Sequence, residues 1–357
     1  MKRLSLWMVC VTLAMTIFLL AVSAGAEMLD LGTLAGNSSA ARAINDSGVI
    51  VGGSTTATPF STHAFLYSNG TMHDLGTLGG SYSIARGIND AGQVVGSSTT
   101  AQGNVNAFLY SNGTMQDLGT LGGNYSIAYG INDADQIVGV SKTSDGYSHA
   151  FLYSGGIMHD LDTLAKNYSF AYGINDAGQV VGVFTTATGF NAFLYSGGKV
   201  ADLGTLGGKY SLARAINASG QIVGFSTNSA GNIHAFLYSN GTMQDLGTLG
   251  GTYSIAYGIN AAGQIVGVST TSKGVTHAFL YEDGIMEDLG TLGGNSSAAR
   301  GINDAGQIVG VAANLNGYHH AFLYSNLAPD PVPLPGTALL FGSGLLGLLG
   351  LRRFRKG

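Results

Sequence analysis

Seven positions spaced 42 to 44 residues apart carry only arginine or tyrosine: Arg42, Arg86, Tyr129, Tyr172, Arg214, Tyr257 and Arg300. Guanidinium forks and planar phenol rings suit acidic groups and sugar rings, and both residue types are enriched at recognition hot spots. Five copies add a tyrosine four residues earlier, namely Tyr82, Tyr125, Tyr168, Tyr210 and Tyr253. If the strand carrying them is the innermost of its sheet, the whole set gathers near one mouth of a central channel. The plainer reading, which we prefer on sequence alone, is that these side chains pack between repeats and bond to backbone carbonyls. They are still the best ligand site the sequence offers.

Other chemistry is less well supported. His63, His149, His234, His277 and His320 recur at the same place in five repeats, and Asn106 and Asn191 stand there in two others. Metal ligands must lie within about 2 Å of one ion, and residues one repeat apart do not converge. A hydrogen bond to the neighbouring unit is the expected role. A repeated aspartate (Asp30, Asp74, Asp117, Asp160, Asp202, Asp245, Asp288) reads as a turn or inter-unit acceptor. Glycoside cleavage needs two carboxylates roughly 5–10 Å apart, and near-identical copies single out no such pair. Residues that break the repeat, Asp135, Asp162, His73, His159 and His319, are the only ones that could build an asymmetric catalytic site. No calcium loop, phosphate-binding loop or distinctive serine nucleophile is present. No cofactor or metal is therefore expected. The segments Ala57–Phe60, Thr143–Tyr147 and Asn314–Tyr318 differ while the framework stays fixed, as binding loops and drifting loops both do.

The elements that must position these residues come from a repeat of about 43 residues. Tyr67, Tyr110, Tyr153, Tyr195, Tyr238, Tyr281 and Tyr324 close seven AFLY strings at intervals of 42 or 43. A period in this range marks a solenoid or a propeller. Each unit holds four short strands, a (around GIN), b (QIVG), c (AFLY) and d (MxDLGTL), with turns such as Asn89-Asp90-Ala91-Gly92 and Asn112-Gly113. No helical period appears. The fixed glycines read as turn residues. The repeat region begins with a lone d strand, Met28 to Leu34, and its last copy stops after c, at Tyr324-Ser325. The first strand can therefore pair with the last copy, which leaves no exposed sheet edge. The expectation is an all-β, seven-bladed β-propeller of four-stranded blades over residues 27–327, its ring closed by the N-terminal strand.

The flanking segments speak of export. Lys2 and Arg3, the apolar run Leu4 to Val22 and Ala24-Gly25-Ala26 make residues 1–26 a secretory signal peptide, with an uncleaved anchor as the alternative. Cys10 falls within it, so the exported part has no thiol. After the repeats come a proline-rich linker (328–335), an apolar segment of transmembrane character (336–351) and a basic tail (352–357) expected to stay cytoplasmic. All 20 acidic residues lie between Glu27 and Asp330, against 9 of the 15 basic ones, a net charge of about −11. That charge argues against nucleic acid as a partner.

Val332-Pro333-Leu334-Pro335-Gly336, the apolar helix and Arg352-Arg353 together resemble the PEP-CTERM sorting signal in a VPLPG variant that lacks the Glu of Pro-Glu-Pro. The resemblance implies the secretion machinery, a membrane-held C-terminal segment and an exosortase-type processing peptidase as partners, in a bacterium. The cleavage bond stays open. From Met28 to Ser325, the recurring GINDAGQIVG, HAFLY and DLGTLGG strings resemble the HAF family of extracellular repeats. That family implies an exported repeat protein and establishes no activity. Taken together, the sequence reads as an exported, surface-sorted, non-catalytic binding or structural module of the envelope or matrix. Binding of extracellular polysaccharide is its most concrete form. The alternatives are a propeller-type polysaccharide lyase or hydrolase and a purely structural surface protein.

Overall fold

The computed structural model of the chain describes residues 27–161 and 168–325. The signal segment, Asp162, the proline linker, the apolar segment and the sorting residues Val332 to Gly336, Arg352 and Arg353 lie outside the described residues. The chain divides into two compact units. One is the repeat body, Met28–Tyr324; of the other, only Glu27 and Ser325 are described.

The described residues are all-β, without a helix. In the second repeat, strand a is Gly79–Ile88, b is Val94–Thr100, c is Val105–Ser111 and d is Thr114–Asp117. They pair antiparallel in the order a, b, c, d. The other repeats follow the same plan. The first three repeats join into one twelve-stranded sheet and the next three into another. The joints between repeats are single parallel bridges, such as Thr62 with Tyr82 and Phe190 with Tyr210. The final copy, a Gly293–Ile302, b Ile308–Asn314 and c His319–Ser325, takes its fourth strand from the start of the chain, Glu27–Asp30. Leu31 N–H donates to Ala321 O at 2.9 Å, as Leu75 does to Ala64 within the first repeat.

The core lies between neighbouring repeats. Val51, Ala64 and Leu75 of the first meet Ala85, Val94 and Phe108 of the second. The same set recurs along the chain, and Val309, Ala321 and Leu31 meet Ala41, Ile50 and Phe65. The phenylalanine of every AFLY string is wholly buried. Each such ring removes on the order of 150–250 Å² of surface from water, so packing across the repeats dominates the stability of the body.

The glycine of each QIVG string corrects the turn reading. Gly139 sits in mid-strand b, and a Cβ there would lie 2.0 Å from Ile127 O and 2.7 Å from the Phe151 ring. Gly52, Gly96, Gly182, Gly224, Gly267 and Gly310 face the same obstruction. These glycines let strand a bulge against b while a phenyl ring packs on their face. Strand a also starts earlier than the GIN string suggests, at the glycine pair of the TLGG string, where Gly79 has φ +99° and Gly80 lies against Thr99.

Candidate functional site

Strand a carries the recurrent Arg/Tyr position two residues before its last isoleucine. In every copy it is the extra residue of the bulge that strand a makes against strand b, so it has the same local geometry each time. The structure brings the seven together: Arg42, Arg86, Tyr129, Tyr172, Arg214, Tyr257 and Arg300 line one cavity of about 390 Å³.

The contacts within this lining are unlike those of a packed interior. Arg86 lies over the Tyr129 ring at 5.1 Å, Arg300 over Tyr257 at 5.1 Å, and Arg214 between Tyr172 at 4.6 Å and Tyr257 at 5.6 Å. Tyr129 and Tyr172 pack on each other with centroids 4.8 Å apart. Arg42 has no such ring face among the described residues. Burial first, then repulsion from Arg86 and Arg300, pulls its pKa down to about 10. The Nε atoms of Arg42, Arg86, Arg214 and Arg300 are buried without a hydrogen-bond partner, and no carboxylate pairs with any of the four among the described residues. The expectation that these arginines bond backbone carbonyls is not met.

Further tyrosines stand four residues before the lining position in five copies. Burial raises the pKa of Tyr125 to about 12, with Tyr129 adding to it, and pushes Tyr172 and Tyr253 upward. Tyr168 and Tyr210 are more open and meet side chains of or near the b–c loops, Tyr168 edge-on to Tyr147 at 6.1 Å and Tyr210 stacked on Phe190 at 4.8 Å. Phe60, Leu315 and Tyr318 in the variable loops are exposed.

The Ile-Asn-Asp turns that follow strand a line a second cavity of about 240 Å³. Each buried Asn donates its side-chain amide to the Asn carbonyl of the next repeat at 3.0–3.2 Å, from Asn45 to Asn89 onward, and Asn303 donates to Asn45. The aspartates after them are already engaged. Asp90, Asp133, Asp176, Asp46 and Asp304 each accept a backbone N–H from the preceding repeat. Where Ala218 and Ala261 stand, that acceptor is missing.

The HAF histidines do something other than bridge repeats. His63 Nδ1 contacts the Asp74 carboxylate at 2.7 Å, on the adjacent d strand of its own sheet, and Asn106 and Asn191 donate to Asp117 and Asp202 in the same way. His320 reaches Asp30 at 2.7 Å. The same aspartate accepts the N–H of the residue two further on, as Gly76 N–H donates to Asp74 at 2.7 Å. The link sequence reasoning missed is a serine. Ser83 Oγ receives Ala64 N–H of the preceding repeat at 2.8 Å, and six equivalents do so, including Ser39 from Ala321. Its signal was present as a serine six residues before every Ile-Asn.

The asymmetric residues do not meet. His73 and His159 sit on d strands of the first and third repeats, His319 opens the last c strand, and Asp135 occupies an a–b turn at φ +59°. No hydrogen bond joins any two of them among the described residues. No group of three or more metal-ligand residues occurs there either, and no described helix is long and apolar enough to cross a membrane.

Residues 331–356 match the PEP-CTERM protein-sorting motif, which marks the chain as carrying an export-linked C-terminal sorting signal of the kind exosortase-type enzymes process. None of the curated proteins compared with it matches the chain. Solved structures resemble it in fold. The β-propeller domain of the Trilobed protease from Pyrococcus furiosus aligns with a TM-score of 0.55 at 9% identity, over 83% of this chain and 100% of that one. The lectin BP39L from Burkholderia pseudomallei gives 0.50 at 10%, over 83% and 99%. A puromycin-hydrolysing peptidase from Mycobacterium tuberculosis gives 0.56 at 12% over 86% of this chain, which spans only 54% of that enzyme. Peptidases and a lectin share the architecture, so the likeness establishes a β-propeller fold and no activity.

Proposed function

We propose that the chain is an exported, surface-sorted repeat protein of the HAF type whose seven repeats form one closed, seven-bladed propeller. It acts as a non-catalytic binding module of the envelope or extracellular matrix, with extracellular polysaccharide as its ligand. Three links support closure, because each repeats between the ends of the body what neighbouring copies do. They are the Glu27–Asp30 strand on the last copy, the Asn303–Asn45 bond and the Ala321–Ser39 bond.

One observation carries the binding reading. Seven Arg/Tyr side chains line a single cavity, and its four guanidinium groups lack hydrogen-bond partners at Nε. A packing role would leave these donors satisfied, since buried polar groups are ordinarily bonded. Exposed Tyr168 and Tyr210, four residues before lining positions 172 and 214, offer aromatic surface for sugar rings. Binding of the purified protein to the host's own extracellular polysaccharide and to a glycan array tests the reading. Saturable binding supports it, and no binding to any glycan would leave a scaffold role.

A further inference from the structure

The arginine cavity also has a charge problem. Arg300, Arg42 and Arg86 come from consecutive repeats once the last is followed by the first, and the repulsion acting on Arg42 comes from the other two. Tyrosine faces offset part of this for Arg86 and Arg300, whereas for Arg42 the opposing pull of Tyr82 and Tyr129 ranks below burial and the two arginines. Burying like charges without a counter-ion is costly. The acids closest along strand a do not relieve it, because each is held by a backbone amide. A folded protein retains such an arrangement where a ligand supplies the missing charge, at a cost in stability of the unliganded state.

We propose, resting on the polysaccharide-binding reading above, that the Arg300–Arg42–Arg86 arc binds the carboxylate of an acidic sugar, a uronate residue of the polysaccharide. The planar guanidinium forks that line the cavity match a carboxylate. Tyr129 and Tyr172 continue the lining beyond Arg86. The cavity volume is near the lower end of the roughly 300–1,000 Å³ common for small-ligand sites, so a terminal or branch sugar fits it better than a chain running through.

Calorimetry on the full chain, with a short oligogalacturonate and its carboxyl-reduced counterpart, tests this. The acidic form should bind saturably, at least tenfold tighter than the reduced form, and more weakly as salt rises. Arg42→Met and Arg86→Met should each weaken it tenfold or more. Arg42→Met should also raise the thermal midpoint of the unliganded protein, whereas a structural arginine would lower it. Equal binding of both sugars would overturn the carboxylate inference and leave glycan binding standing. Binding of the acid that survives both substitutions would place the anion elsewhere and overturn it too. No binding of either sugar would also sink it, and the glycan array then decides the broader reading separately.

Discussion

The side-chain amide of Asn303 lies 3.0 Å from the carbonyl oxygen of Asn45, a residue 258 positions earlier. Asn260 makes the equivalent bond to Asn303 at 3.1 Å across an ordinary boundary between consecutive repeats. Each also accepts the N–H of the glutamine four residues on. If the ring is closed, the two are energetically equivalent. Asn303→Ala and Asn260→Ala should then each cost about 2 kcal/mol, the penalty for stripping a buried polar network. Denaturant midpoints compare them directly. An Asn303 variant close to wild type beside a weakened Asn260 variant would mean an open ring in solution.

Strand b gives a steric prediction. Gly139→Ala puts a methyl group 2.0 Å from Ile127 O and against Phe151. Over-packing of that kind costs about 3 kcal/mol or more. Gly130→Ala is the control, because its nearest obstruction is Tyr172 O at 3.3 Å and alanine already stands at the matching positions 43 and 215. Thermal unfolding should separate them clearly, with the control within about 1 kcal/mol of wild type.

The histidine of the HAF string is replaceable on the protein's own terms. Asn106 and Asn191 reach their aspartates at 2.8 Å, as His234 reaches Asp245. His234→Asn should shift stability by no more than about 0.5 kcal/mol. His234→Leu removes the partner of a partly exposed carboxylate and should cost up to about 1 kcal/mol. A large loss in the Asn variant would show that the imidazole does more than hold the aspartate.

Tyr125 sets an alkaline signature. Burial, then Tyr129, holds its phenol at about 12 in the folded protein, against 10 when free. Between those values the unfolded chain binds fewer protons than the folded one at this site, so its contribution to stability falls as pH rises. Ultraviolet titration of phenolate should show a delayed component that disappears in Tyr125→Phe. The same variant should also lose part of the decline in unfolding midpoint above pH 10.

Much of this was legible because a repeat averages out local ambiguity. Seven copies placed the a–d strands and the stray d strand at the start, and the fixed spacing of the Arg/Tyr position marked it as one recurrent site. What stayed hidden depended on contacts. Gly139 looks like any turn glycine until the Ile127 carbonyl and Phe151 are seen on either side of it. The partner of His63 was taken to lie in the next repeat, whereas the aspartate eleven residues on, across one strand pair, is nearer. That constant spacing of eleven, kept where asparagine replaces histidine, was the unused signal. No sequence pattern can show that an arginine lacks a partner, which is the observation that turned the ring from packing to binding.

The pairing of the first strand with the last copy also sets the order of assembly. Asp30 finds His320 only across 290 residues of intervening chain. Contacts of such sequence separation form slowly, because the entropy of closing the loop must be overcome before any contact rewards it. Every repeat between them can dock on its predecessor as it emerges from synthesis or from a translocation pore. The opening strand has to wait until the final copy is through. Until then the body is a string of partly assembled units with one open flank, a state loose enough to pass through a pore and prone to pairing with other chains. If the ring is closed and the chain is exported as proposed, its completion belongs to the far side of the membrane.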